Sequence, residues 1–196
     1  IVSGIEITRE NTAKFRLTRP YYLFGQQLTV RADDTKIKTL TDAKESRVGT
    51  LSDSAADRWL AHVGVKSIVT YEGQIEPYMD LANGRVDAVL LDLPIATHHA
   101  GGDKRFKFVG PLEGWSGYGI GARNDDADLI NVLNAAIGEL HREGKLEAIY
   151  RRWKMWNEEQ QALDQLDTVD KLFTWASAKN GGVEVVPEAW TFGRYF

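Results

Sequence analysis

Cysteine is absent from the 196 residues. Its absence removes disulfide frameworks, thiol nucleophiles and cysteine-ligated metals together, without fixing a compartment, because many exported proteins also lack it. Long hydrophobic runs are missing too. The longest apolar stretches, such as residues 88–96, are broken by Asp92 and fall well short of the ~18 residues that a membrane-spanning helix needs. Positive charge is not in excess: 24 Lys and Arg stand against 28 Asp and Glu, a net charge of −4, so there is no overall field to hold nucleic acid. Neither the nucleophile-elbow nor the phosphate-loop glycine pattern occurs. The histidines His62, His98, His99 and His141 lack the spacing of a zinc site. The chain opens at Ile1 without Met or a basic-then-apolar leader, the pattern expected of a mature or cut chain. What remains is ordinary for a globular protein, 43% hydrophobic and 27% charged, at a length that suits one large or two small domains.

From Arg47 to Gly110 the pattern alternates strand and helix. Residues 47–51 read as a short buried strand and 54–63 as a helix with Ala55, Trp59, Leu60 and Val63 near one face. Residues 66–71 read as the next strand, 75–82 as a helix closed by Asn83-Gly84, and 85–91 as a third strand. A helix over 94–100 and a strand over 106–109 follow. Repeated βαβ units imply a parallel or mostly parallel sheet with helices on both faces. On either side stand β-rich 27–31, strand-like 116–122, and a helix pair over 128–153 with Gly144 as its break. The βαβ region therefore reads as inserted between two halves of something else. Beyond Asn157, Leu163, Leu166, Val169 and Leu172 are spaced for one helix face, and the chain ends in Trp190, Phe192, Tyr195 and Phe196. That aromatic end suits either an approach to a bilayer interface or packing on the globular body.

Ligands of a parallel α/β unit collect at the carboxyl ends of its strands, where helix N-termini present unpaired N–H groups. Ser52-Asp53-Ser54 follows the strand over 47–51, and such a turn either caps the next helix or receives a ligand carboxylate. Asp92 follows the strand over 85–91 and precedes Pro94. It either caps the next helix or receives a ligand ammonium.

Ile1-Val-Ser-Gly-Ile-Glu-Ile-Thr8, Pro20-Tyr-Tyr22, Arg47-Val-Gly49, Gly84-Arg-Val-Asp-Ala88, Asp92 and the segment from Gly144 to Trp153, in that order and spacing, resemble bacterial extracellular solute-binding proteins of the polar-amino-acid family, the capture subunits of ATP-driven importers. The resemblance implies an α/β, two-lobed periplasmic-binding-protein type II fold that closes over a small polar amine-bearing solute. Lobe one is incomplete on this reading, since in the family its first strands and an aromatic wall of the site precede the position of Ile1. Residues 1–30 then form the end of lobe one and the first crossover, 31–115 lobe two, 116–155 the second crossover and return to lobe one, and 156–196 a C-terminal helical extension. The segment from Trp156 to Gln160 looks like the join in versions fused to the membrane permease.

The resemblance also implies ligand-binding residues. The family's lobe-one Ser or Gly falls on Ser3 and Gly4, its next hydroxyl is replaced by Glu6, and its carboxylate-clamping arginine is replaced by Asn11. In lobe two the hydroxyl-rich turn falls on Ser52, Asp53 and Ser54, and the ammonium-binding acid on Asp92. An uncharged amide cannot supply the charge-assisted fork that selects carboxylates. With Glu6, Asp53 and Asp92 at hand, the site then favours a cationic solute; the alternative is that Glu6 and Asn11 simply face solvent. The implied partners are a small-molecule solute and the membrane permease of an ABC importer, separate or on the same polypeptide, and the implied location is periplasmic or extracellular, with or without a membrane tether. No cofactor, metal, catalytic residue or nucleic acid is implied. A ligand-sensing domain of a membrane receptor and a dehydratase-like enzyme are the alternatives on the same fold.

Overall fold

In chain order the computed structural model, which describes residues 1–183, opens with β1 (Ile5–Glu6), α1 (Arg9–Lys14), β2 (Arg16–Leu17) and β3 (Tyr22–Arg31). A 3-10 turn (Leu40–Ala43) leads into β4 (Arg47–Leu51), α2 (Ala55–Val63), β5 (Ser67–Tyr71), α3 (Glu76–Ala82), β6 (Ala88–Asp92) and α4 (Leu93–His99). Then come β7 (Phe106–Gly119), β8 (Gly121–Ala122), α5 (Ala127–Arg142), α6 (Lys145–Arg152), a second 3-10 segment (Glu158–Asp164) and α7 (Val169–Lys179). These elements form two compact units. The inserted unit comprises residues 24–115 and 146–158, and the terminal unit comprises 1–23, 116–145 and the described tail from Glu159.

In the inserted unit β4 lies between β5 and β6 and runs parallel to both, with α2 and α3 as the crossovers that parallel strands require. β3 adds to β6 antiparallel, setting Gln26 opposite Asp92 and Val30 opposite Ala88. Strand β6 is buried along its whole length, as a strand covered on both faces should be. Its Val89 and Leu91 pack with Tyr78, Leu81, Val86, Ala100 and Phe106. Ser54 opens α2 by accepting the Asp57 N–H, and Ala55, Ala56, Trp59 and Leu60 form the buried face of that helix. Leu60 and Leu81, both 0% exposed, contribute about 1.5–3 kcal/mol each by leaving water.

In the terminal unit β1 pairs antiparallel with the end of β7, Ile5 opposite Gly119 and Glu6 opposite Tyr118, while β2 pairs with β8. Thr8 caps α1, its hydroxyl accepting the Asn11 N–H at 3.0 Å. Ile7, Tyr22, Leu23, Leu163 and Leu172 are buried. Leu172 lies against Gly117, where a Cβ would stand only 3.0 Å from its methyl carbon. Among the described residues no helix is long and apolar enough to cross a membrane.

The elements depart from the sequence expectations in four places. The strand expected over 106–109 is joined to most of that expected over 116–122: β7 runs unbroken for 14 residues to Gly119, with Gly110 and Gly114 inside it at positive φ, a conformation that glycine adopts without steric cost. β3 begins at Tyr22 rather than at Gln27. β6 begins at Ala88 rather than at Arg85, since the turn after α3 uses the Arg85 N–H, which donates to the Asp80 carbonyl at 2.9 Å. The single helix face through Leu163, Leu166, Val169 and Leu172 is divided: Leu163 lies in the second 3-10 segment, Leu166 in the link after it, and Val169 and Leu172 in α7, where Thr168 takes the Lys171 N–H and starts a new helix. Leu163, Leu166 and Leu172 are buried all the same. The helix pair over 128–153 is present as α5 and α6 with Gly144 between them. The aromatic end from Trp190 to Phe196 lies outside the described residues.

Candidate ligand-binding site

The carboxyl ends of β4 and β6 lie side by side in the inserted unit. Val48 is level with Ala88 and Gly49 with Val89, and the Thr50 hydroxyl donates to the Leu90 carbonyl at 2.9 Å. The turn after β4 and Asp92 at the end of β6 therefore share one rim of the sheet. In that turn Ser52 donates its N–H to the Tyr71 carbonyl at 2.9 Å, and Asp53 adopts a left-handed conformation with φ 55°. The Ser54 hydroxyl donates to the Leu51 carbonyl at 2.8 Å and accepts the Asp57 N–H at 3.2 Å, so Ser54 performs the helix-capping role. Asp92 is different: it occupies the position before α4, is 5% exposed, and makes no side-chain capping bond. Its charge is felt by the buried Tyr78 hydroxyl, which is pushed up first by burial and then by Asp92.

Arg58, which sequence reasoning does not assign to the site, donates from Nη1 to the Asp53 carbonyl at 2.7 Å. This bond holds the left-handed turn and brings a guanidinium to the acidic loop. Asp57 has its pKa raised, mainly by burial, while Arg58 acts in the opposite direction. The only sequence signal is the placement of Arg58 one helical turn after Ser54. Trp59 donates its indole N–H to Glu113 Oε2 at 3.3 Å, and Gly114 approaches so closely that a Cβ there would stand 2.9 Å from the indole.

Ser3, Gly4, Glu6 and Asn11 all belong to the terminal unit. Ser3 and Gly4 are exposed, and Glu6 and Asn11 are half-buried. The Gly4 N–H donates to the Tyr21 hydroxyl at 3.1 Å. In the sequence Tyr21 stands out only as part of Pro20-Tyr-Tyr22, and its hydroxyl pKa is pushed up by burial. Asn11 Nδ2 donates to the Glu6 carbonyl at 2.9 Å, which ties the start of α1 to β1. Nearby, the Tyr22 and Tyr118 rings stack with centroids 6.1 Å apart. Ser52, Asp53, Ser54 and Asp92 belong to the inserted unit, so the candidate residues are divided between the two units. No group of three or more acidic or histidine side chains that could hold a metal occurs among the described residues.

The crossovers through parallel strands, the antiparallel β3 and the rim of strand ends define the α/β class of type II periplasmic binding proteins. An ancestral arginine-binding protein bound to glutamine matches with a TM-score of 0.69 at 29% identity, over 78% of this chain and 69% of that one. The chain belongs to the bacterial extracellular solute-binding proteins, family 3, whose pattern matches residues 1–155. It is 28% identical over 156 residues to the L-cystine-binding protein of Escherichia coli, covering 78% of this chain and 59% of that protein. It is 32% identical over 165 residues to the L-arginine-binding protein of Pseudomonas aeruginosa, covering 78% and 63%. The chain thus spans 59% to 63% of the length of these curated relatives. The resemblance carried by the sequence motifs holds, and the tail beyond residue 155 lies outside the family match.

Proposed function

We propose that this chain captures a small polar amine-bearing solute, an amino acid or a cationic relative, without chemical turnover, and delivers it to the membrane permease of an ATP-driven importer from the periplasmic or extracellular side. The observation that carries the reading is Asp92, a buried carboxylate at the carboxyl end of a central parallel strand, level with the hydroxyl-rich turn after the neighbouring strand. A solute ammonium docked there would form a charge-assisted bond in a site from which water is largely excluded, where such bonds are strongest. Relatives named for binding L-cystine and L-arginine support an amine-bearing ligand. Ser3, Gly4, Glu6 and Asn11 on the terminal unit and Ser52 and Asp53 on the inserted unit are further candidate ligand contacts, while the Ser54 hydroxyl is used as the cap of α2.

Asp92 inclines the inserted unit toward positive charge and Glu6 the terminal unit, where Asn11 adds no cation. At ~4 Å each carboxylate attracts a cation by roughly 1–4 kcal/mol, depending on the effective dielectric. Arg58 beside the Asp53 carbonyl offsets part of the loop's negative potential, which leaves Asp92 as the principal acid. Calorimetric titration with L-arginine, L-histidine and L-cystine tests the proposal: at least one is expected to bind, and Asp92→Asn to weaken it about tenfold or more. Equal affinity of the variant and the parent chain would remove Asp92 from the site.

A further inference from the structure

Gln26 is 0% exposed on β3, and neither its amide nitrogen nor its amide oxygen has a hydrogen-bond partner among the described residues. Buried amides are almost always hydrogen-bonded, because desolvating one without compensation is costly, so an orphaned amide calls for a function. The surroundings suggest which. Gln26 pairs directly with Asp92 across the antiparallel β3–β6 ladder, and directly opposed residues project their side chains to the same face as close neighbours. Gly114 stands over it: a Cβ there would lie 3.2 Å from Gln26 Cγ and 2.9 Å from the Trp59 indole. The absence of a side chain at Gly114 leaves room for the amide and the indole together. Nothing in the strand pattern needs a polar group here, since Leu28 and Val30 on the same face are apolar and buried.

We propose that the Gln26 amide is a ligand-contacting group that selects α-amino acids, rather than simple amines, at the Asp92 site. Its oxygen accepts a second N–H of the ammonium held by Asp92, and its nitrogen donates to a carboxyl oxygen of the same solute. An amide presents an acceptor and a donor side by side, which matches the adjacent ammonium and carboxylate of an α-amino acid. In a chain with Asn11 at the position of the family's arginine, this neutral donor supplies carboxylate recognition from the inserted unit. The assignment rests on the amine-capture reading of Asp92.

The test compares L-arginine with agmatine, the same side chain and amine without the carboxylate, by calorimetry on the full chain. The parent chain should prefer L-arginine. Gln26→Met, of similar volume and without the amide, should lose about tenfold in L-arginine affinity and little for agmatine, while the ligand-free melting temperature stays level or rises. Gln26→Asn keeps the amide but withdraws it by one methylene, and should lose part of the preference. A Gln26→Met chain that keeps the full preference overturns the assignment and leaves the effect of Asp92→Asn, and with it the capture reading, standing. A parent chain that binds neither solute, nor L-histidine or L-cystine, overturns the capture reading and this assignment together.

Discussion

Gln160 and Leu23 exchange a reciprocal pair of hydrogen bonds: the Leu23 N–H donates to Gln160 Oε1 at 2.9 Å, and Gln160 Nε2 donates to the Leu23 carbonyl at 2.6 Å. Both residues are 0% exposed. The side chain of a residue beyond the family match thus completes the backbone hydrogen bonding at the start of β3. Arg19 reinforces the junction by donating to the Leu163 carbonyl, and His141 lies 2.7 Å from Asp164. The second 3-10 segment is a structural part of the terminal unit.

Gln160→Ala should therefore be costly. It leaves the Leu23 N–H and carbonyl buried without partners, a loss of about 2 kcal/mol or more. Urea denaturation should show a lower midpoint with little change in slope, and an unchanged midpoint would refute the role assigned to the tail.

Asn11→Arg should redirect the site. An arginine there supplies the bidentate fork for a carboxylate, at the expense of the 2.9 Å bond from Asn11 Nδ2 to the Glu6 carbonyl. Binding of ordinary α-amino acids is expected to strengthen and binding of amines without a carboxylate to weaken. Competition assays with L-glutamine and agmatine would reveal the shift; the same rank order in both chains would count against a ligand contact at this position.

Gly114→Ala and Gly84→Ala separate backbone strain from packing. Both positions have positive φ, but a Cβ at Gly84 meets nothing within 4 Å, whereas at Gly114 it meets Trp59 at 2.9 Å and Gln26 at 3.2 Å. Gly84→Ala should cost about 1 kcal/mol from strain alone, and Gly114→Ala about 1–3 kcal/mol more from overpacking. Thermal melts of the two variants should differ accordingly.

Stability should respond to acid through Asp87. Arg47 holds the Asp87 carboxyl below the usual carboxylate range, with Nη2 at 2.8 Å from Oδ1 and Nε at 3.1 Å from Oδ2. A depressed folded pKa means that the contribution is present above the unfolded value of about 4 and is lost as pH falls through the folded value. The pair is partly exposed, so its worth is up to about 1 kcal/mol. Asp87→Asn should destabilise by that amount at neutral pH, with the difference vanishing in strong acid; a constant difference across the titration would contradict it.

Local signals carried the order of strands and helices through the inserted unit. Ser54 reads as a cap because its hydroxyl needs only the N–H three residues on, and Asn83-Gly84 reads as a helix end because the stop signal lies within one turn. The family motifs likewise lie in short stretches, and the place of Asp92 after a strand marks it as a site candidate. Long-range pairing settled the rest. The continuity of β7 through Gly110 and Gly114, the orphaned amide of Gln26 opposite Asp92, the bond from Arg58 to the Asp53 carbonyl and the capture of Leu23 by Gln160 depend on where distant backbones come to lie. Side-chain periodicity reports which face of an element is apolar, but not which residue of another element stands opposite it, since that register is chosen by the packing of the whole unit.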